Sequence, residues 1–193
     1  IKARPITGAG RDELAAIVRP FVYRKYLDYQ TLAAMRGLHA EVRREVARRE
    51  LAGHVKLGPG GIREIEFVVQ ALQLVRAGRE PALAVRPTLA ALPLLAERRL
   101  LPAEAAASLA ECYVFLRRLE HRLQYLDDAQ THLLPTDAGD QARVAAMMDF
   151  ADWPALASKL DAVRGEVTRH FQDVLAGPGQ ESGGPAAWPE HPR

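Results

Sequence analysis

Residues 55–70 constrain this chain most. They read Val55-Lys56-Leu57-Gly58-Pro59-Gly60-Gly61-Ile62-Arg63-Glu64-Ile65-Glu66-Phe67-Val68-Val69-Gln70. A glycine-rich turn stands between a short apolar run and a segment that mixes charged and apolar residues. Glycines before a helix can leave backbone N–H groups uncovered, and such groups hold anions like phosphate. The segment after the turn reads as a strand with Ile65, Phe67 and Val69 on one face. It also reads as a helix with Ile62, Ile65, Val69 and Leu72 on one face. The pattern runs too long for an ordinary strand, so a helix is expected. Arg63, Glu66, Gln70 and Gln73 then share its polar stripe, and Gly78 ends it.

The rest of the chain reads mainly α. Aromatics are 6% of 193 residues and 48% are hydrophobic, which suits an aliphatic helical core. Ile1 to Ile6 is a candidate strand. Asp12 to Arg19 is a short helix that Pro20 should end. Gln30 to Leu51 is a long helix with an apolar stripe through Leu32, Met35, Leu38, Val42 and Val46. Arg43, Arg44, Arg48 and Arg49 gather near its C-terminal end. Val55 to Leu57 is short enough for one strand. Thr88 to Arg98 is a helix with Thr88 as N-cap. The next helix opens near Pro102 and runs to Leu126. Leu109, Cys112, Tyr113, Leu116, Leu119, Leu123 and Leu126 form its stripe, while Arg117, Arg118, Glu120, His121 and Arg122 fill the other faces. Two further helices cover Asp140 to Met148 and Trp153 to Leu175, the second capped near Asp152. From Gly177 on, the composition is that of a flexible tail.

Charge excludes more than it assigns. Lys plus Arg number 26 and Asp plus Glu 24, for a net charge of +2. That balance gives no reason to expect a nucleic-acid or membrane partner. No apolar run approaches the roughly 20 residues that span a bilayer. The single Cys112 excludes an internal disulfide and fits a reducing cytoplasm. The chain opens on Ile1 in what reads as mid-domain sequence, so it is expected to be a piece of a longer protein.

Two sets of residues carry candidate chemistry. Lys56 and Arg63 flank Gly58, Gly60 and Gly61, where a phosphate could meet both cations and the helix N-terminus. Glu64 and Glu66 suit the helix dipole and could hold a divalent ion or orient a basic group. The competing reading is a tight turn with a capping carboxylate and a surface ion pair. Arg117, Arg118 and His121 offer a basic face for an acidic partner or a phosphate. A solvated, ion-paired helix face is the simpler reading of them. His121 and His132 match no zinc spacing. Cys112 lies in an apolar stripe and reads as packing.

The segment Lys56-Leu57-Gly58-x-Gly60-Gly61-Ile62-Arg63-Glu64-Ile65-Glu66-Phe67 resembles a signature of the bifunctional glutamine synthetase adenylyltransferase/adenylyl-removing family. Three more blocks agree in order: Arg19 to Asp28, Phe115 to Gln124, and Asp149 to Trp153. Together they cover most of Ile1 to about Leu175. A related block occurs in uridylyltransferases of the PII signal protein. The family has two nucleotidyltransferase halves. The adenylylating half usually reads Val-Asp-Ile-Glu-Phe after its glycines. Arg63-Glu64-Ile65-Glu66-Phe67 resembles instead the half that removes AMP by phosphorolysis.

The resemblance implies Mg²⁺ and ATP or ADP as cofactors. It implies glutamine synthetase, the PII signal protein and the other half of the polypeptide as partners. It also implies a division into residues 1–78, the end of a nucleotidyltransferase (α+β) domain; residues 79–175, a helical bundle domain; and a tail over 176–193. The family's metal-binding carboxylates lie in a Gly-Ser block followed by Asp-x-Asp and in a later strand. This sequence has neither pattern, so they are expected upstream and the segment alone should not catalyse. Arg63, Glu64 and Glu66 are then supporting catalytic candidates, and Lys56, Gly58, Gly60, Gly61 and Arg63 the phosphate candidates. A non-catalytic helical platform that docks glutamine synthetase or PII is the alternative.

Overall fold

The computed structural model describes residues 10–23, 53–127 and 132–176, with Gly37, Ala40, Glu41, Arg44, Glu45 and Arg48 between them. Its helices are α1 (Arg11–Val22), α2 (Ile62–Arg76), α3 (Thr88–Glu97), α4 (Ala103–Asp127), α5 (Ala138–Met147) and α6 (Trp153–Ala176). A 3₁₀ turn, Pro81–Leu83, lies between α2 and α3. The mainly α reading holds: the described residues contain no strand. The described positions between 37 and 48 are helical; the remainder of the helix expected over Gln30 to Leu51, the strand over Ile1 to Ile6 and the tail lie outside the described residues.

Burial on one face of each long helix makes the core. Along α4, Leu109, Leu116, Leu119 and Leu123 are at most 1% exposed. Along α6, Leu156, Leu160, Val163, Val167 and Phe171 are buried at helical spacing. Each such side chain contributes about 1.5–3 kcal/mol when fully buried. The α2 residues Ile62, Ile65, Val68 and Val69 join the same cluster. Helix α2 packs on α3, α4 and α6, and α5 closes against α4 and α6. Phe67 of α2 tilts on Phe171 of α6 with ring centroids 5.6 Å apart.

Several local expectations are corrected. Pro20 sits inside α1 rather than ending it. It lies in the last turn, and the Tyr23 N–H still reaches the Arg19 carbonyl at 2.8 Å. Thr88 does not cap α3, because Pro87 in extended conformation holds that position. Thr88 is buried and hydrogen-bonded to Tyr113. Val55 to Leu57 is a turn and not a strand. His54 makes an isolated antiparallel bridge with Leu133 instead. Gln73 leaves the polar stripe of α2: it is 1% exposed. Its amide nitrogen donates to the carbonyls of Leu83 and Val85, both at 2.7 Å, and so holds the segment that leads into α3. Asp137 caps α5 by accepting from the Gly139 and Asp140 amides. Asp152 caps α6 as expected, accepting from Ala155 N at 2.8 Å.

The glycine turn is pressed against α6. Gly60 has φ +65°, and a Cβ there would lie 2.3 Å from the Arg164 carbonyl oxygen. Backbone conformation and packing therefore both demand glycine. Gly165, one residue on in α6, has nothing within 4 Å of its Cβ position. Gly60→Ala should destabilise the protein by about 3 kcal/mol, summing left-handed strain and overpacking. Gly165→Ala should stabilise it by up to about 1 kcal/mol through helix propensity. Urea unfolding of the two variants checks this; a Gly60→Ala protein as stable as the parent would contradict the packing described.

Candidate functional site

Every backbone N–H from Val55 to Glu64 already has an acceptor. The Val55 amide donates to the His132 carbonyl at 2.8 Å. Lys56 N and Leu57 N donate to His54 Nδ1 at 3.2 and 3.1 Å. Gly58 N donates to the His54 carbonyl at 2.8 Å. Pro59 has no N–H. Gly60 N donates to Glu64 Oε2 at 3.1 Å. The amides of Gly61, Ile62, Arg63 and Glu64 donate to the carbonyls of Gly58, Val55, Lys56 and Gly61, at 3.0 to 3.3 Å. The uncovered amides expected of this turn are thus directed inward. Close backbone approach does occur, but it is to α6 and, at Gly61, to the turn's own carbonyls. A Cβ at Gly61 would lie 2.6 Å from the Val55 oxygen.

The two glutamates of the segment part company. Glu64 is buried, at 6% exposure, and caps the turn through Gly60 N. Glu66 accepts from the Tyr113 hydroxyl at 3.3 Å. Burial first, and the nearby Glu66 carboxylate second, push the Tyr113 phenol up from its ordinary pKa. Arg63 is exposed in the first turn of α2. Lys56 is drawn the other way, towards α4.

Its partner there is Glu120, a residue expected on a solvent face and found 2% exposed. Lys56 Nζ stands 3.9 Å from Glu120 Oε1 and His132 Nδ1 stands 3.0 Å from it. Arg117 pairs with Glu120 Oε2. Glu120 Oε2 and His132 Nδ1 have no well-directed hydrogen bond, and the two cations Lys56 and Arg117 supply the opposite charge. A lone carboxylate at this depth would cost several kcal/mol, and removing a partner leaves that cost uncompensated. The His54 ring stacks on His132, centroids 5.1 Å apart. The cluster thus links the turn, α4 and the 132–134 segment.

The sequence candidates therefore divide. Lys56 and Arg117 meet at Glu120. Gly58, Gly60, Gly61 and Glu64 form the turn itself. Arg118 pairs with Asp149 Oδ2 at 3.2 Å, and His121 lies beside Arg117, their nitrogens 3.4 Å apart. The residues that sequence reasoning missed are His54, Glu120, His132 and Arg164. Glu120 carried a signal: it lies four residues after Leu116 and three before Leu123, within the apolar stripe. The two histidines lie far apart in sequence and carried none. Cys112 is buried, as its stripe implied, and burial raises its thiol pKa. Among the described residues no group of three or more His, Cys, Asp or Glu side chains could hold a metal ion.

His54 makes the cluster pH-sensitive. Burial lowers its pKa, and His132 and Lys56 nearby lower it further, against a raising contribution from Glu120. Its Nδ1 must stay unprotonated to accept two amides. The unfolded chain therefore takes up the proton first. Stability from this site is full above about pH 6.5 and is lost as pH falls through that value towards the lower folded pKa. His170, whose pKa burial also lowers, acts in the same direction. Urea unfolding between about pH 7.5 and 5.5 should show falling stability. His54→Asn keeps an acceptor for the turn and should make the fall shallower. An unchanged slope would assign the effect to other groups.

Comparison with known proteins fits this arrangement into a family. The family model described as GlnD PII-uridylyltransferase matches residues 36–175. The chain is similar to proteins named bifunctional glutamine synthetase adenylyltransferase/adenylyl-removing enzyme. That of Chromobacterium violaceum is 56% identical over 182 residues, 94% of this chain and 20% of the relative. Those of Aromatoleum aromaticum and Nitrosomonas eutropha are 54% and 52% identical, over 94% and 91% of this chain and 19% of each relative. The chain spans about one fifth of the length of these relatives. Helices α2 to α6, the glycine turn and the buried charge cluster fall mostly or wholly within the matched residues, and the chain belongs to the family described as GlnD PII-uridylyltransferase.

Proposed function

We propose that this chain is part of an enzyme that controls glutamine synthetase by reversible adenylylation of a tyrosine. The observation that carries the proposal is its 47–56% identity to the relatives bearing that name, across 91–94% of its length. Within that reading, the Arg63-Glu64 pair after the glycines supports the half that removes AMP by phosphorolysis.

The roles follow from placement. Arg63, exposed at the N-terminal turn of α2, neutralises phosphate charge with its side chain. The glycine amides are engaged within the turn, so side chains supply the anion contacts on this wall. Glu64 and the glycines fix the turn that aims Arg63, and Glu66 with Tyr113 steadies the next turn of the helix. Lys56 is turned towards Glu120 and anchors the start of the turn to α4. Mg²⁺ and ATP or ADP belong to the full-length protein. The sequence has neither the Gly-Ser nor the Asp-x-Asp pattern that the resemblance assigns to the metal, which supports placing the metal's carboxylates in other segments of the full-length protein. Glutamine synthetase, the PII signal protein and the other half of the polypeptide are the proposed partners, in the cytoplasm. No helix of the described residues is long and apolar enough to cross a membrane.

One observation favours a second reading. A turn with all its amides engaged and a buried charge cluster beneath it is also a rigid platform. In that role the chain docks glutamine synthetase or PII and contributes no group to the reaction.

Arg63→Ala in the full-length enzyme separates the two. Deadenylylation should fall on the order of 10²-fold, the scale for losing a cation on a reacting phosphate, while adenylylation stays largely intact. Equal loss of both activities, or no loss, would contradict the assignment.

A further inference from the structure

Two groups compete for one oxygen of the buried charge cluster. Glu120 Oε1 has His132 Nδ1 at 3.0 Å and Lys56 Nζ at 3.9 Å. The other oxygen, Oε2, pairs with Arg117. A carboxylate offers only lone pairs, so His132 holds a proton on Nδ1 and its Nε2 is the nitrogen that titrates. The His132 contact is not well directed, and it gains chiefly when the ring becomes charged. The Lys56 contact is longer than a hydrogen bond and rests on attraction through space. The Lys56 side chain is 37% exposed, against 23% for His132 and 2% for Glu120. Of the two competitors, Lys56 is the one that water can take.

The surroundings single out His132 as the variable group. Glu120 and Arg117 face it from α4 and Lys56 faces it from the turn. The His54 ring stacks on it, and Arg164 of α6 lies within electrostatic reach of His54. Histidine changes charge between about pH 5 and 8, where lysine, arginine and carboxylate side chains ordinarily do not. His54 resists a second proton because its Nδ1 accepts the amides of Lys56 and Leu57. Burial, then His132, then Lys56 also oppose its charge. The His132 ring carries no such duty. Its carbonyl serves the turn, by accepting from Val55 N at 2.8 Å.

We propose that His132 is a proton-operated latch on Lys56. With the ring neutral, Glu120 keeps Lys56 as the counter-ion at Oε1. When Nε2 takes a proton from solvent, the imidazolium supplies that charge from 3.0 Å and repels the ammonium, and Lys56 swings into water. Lys56 and Arg63 are neighbours across the turn, the Arg63 amide donating to the Lys56 carbonyl at 3.1 Å. Acidification thus adds a second mobile cation to the wall that carries Arg63. The latch rests on the geometry of the cluster and not on the enzymatic reading.

Ammonium-proton exchange of Lys56 tests it, read by nitrogen-edited NMR against the exposed Lys159. Both amines meet the same solvent, so their ratio removes the direct effect of pH on exchange. The His132 and His54 rings titrate in the same samples. The Lys56-to-Lys159 ratio should rise a few-fold as pH falls from about 8 to about 5.5, with the midpoint of the His132 ring. His132→Asn keeps a neutral donor and should hold the ratio at its high-pH value throughout. Glu120→Gln should raise the ratio at every pH. Thermal unfolding checks that each variant folds, and the parent titration decides the matter without them.

Three outcomes would overturn the proposal. One is a ratio that stays level in the parent. Another is a rise that follows the His54 ring and not the His132 ring, which would mean that the turn opens as a whole. The third is a rise that persists in His132→Asn, which would assign the release to another group.

Discussion

Residue 60 has no room for a side chain, and much of the structure follows from that. The glycine lets the turn touch the backbone of α6 at Arg164. That contact sets where α2 begins, because Gly60 N is the donor that Glu64 caps. It also sets how α2 lies on α6, where Phe67 meets Phe171. A single methyl would have to displace main chain, which yields far less readily than the end of a flexible side chain. The turn is therefore a joint between two helices before it is anything else.

The second constraint is electrostatic. Glu120 is a carboxylate in the core, and it stays there because polar partners come to it from three directions: the Lys56 ammonium from the turn, the Arg117 guanidinium from its own helix, and the His132 imidazole from the bridge segment. Each of the three remains partly in water, which moderates its own cost of pairing. His54 completes the arrangement by stacking on His132 and accepting the amides of Lys56 and Leu57. The result is a turn whose start, middle and end are each fixed by a different element. A wall of this rigidity can present Arg63 at a constant position, which is what phosphate recognition requires of a side chain.

Much of this was legible in the sequence. The helical period after the glycines was right, because a pattern this long outweighs the strand alternative. The α4 stripe was right down to Cys112. The turn was recognised as special for another reason, uncovered amides that could hold a phosphate; its amides are engaged inward, and what demands glycine at residue 60 is its positive φ and its contact with α6. What the glycines approach was not legible. Gly60 meets Arg164, about a hundred residues away in the chain, and periodicity says nothing about such a pairing. The saturation of the amides depends on the rings and carbonyls of His54 and His132, which no local rule connects. Gln73 and Glu120 were placed on polar faces because type was weighed above phase. Both lie in phase with buried neighbours, and each satisfies its polar atoms with partners from other segments. Pro20 and Thr88 show the limits of boundary signals: a proline in a last turn costs little, and a neighbouring proline can take the cap position.

The inward direction of the turn amides separates a packing joint from an open anion cradle, and amide hydrogen exchange reads it directly. In the ligand-free chain, Gly60, Gly61, Ile62 and Arg63 should be protected to the same degree as the interior of α2, and added phosphate or ADP should leave them unchanged. Fast exchange at these amides in the free chain, slowed only when phosphate or ADP is added, would contradict the account.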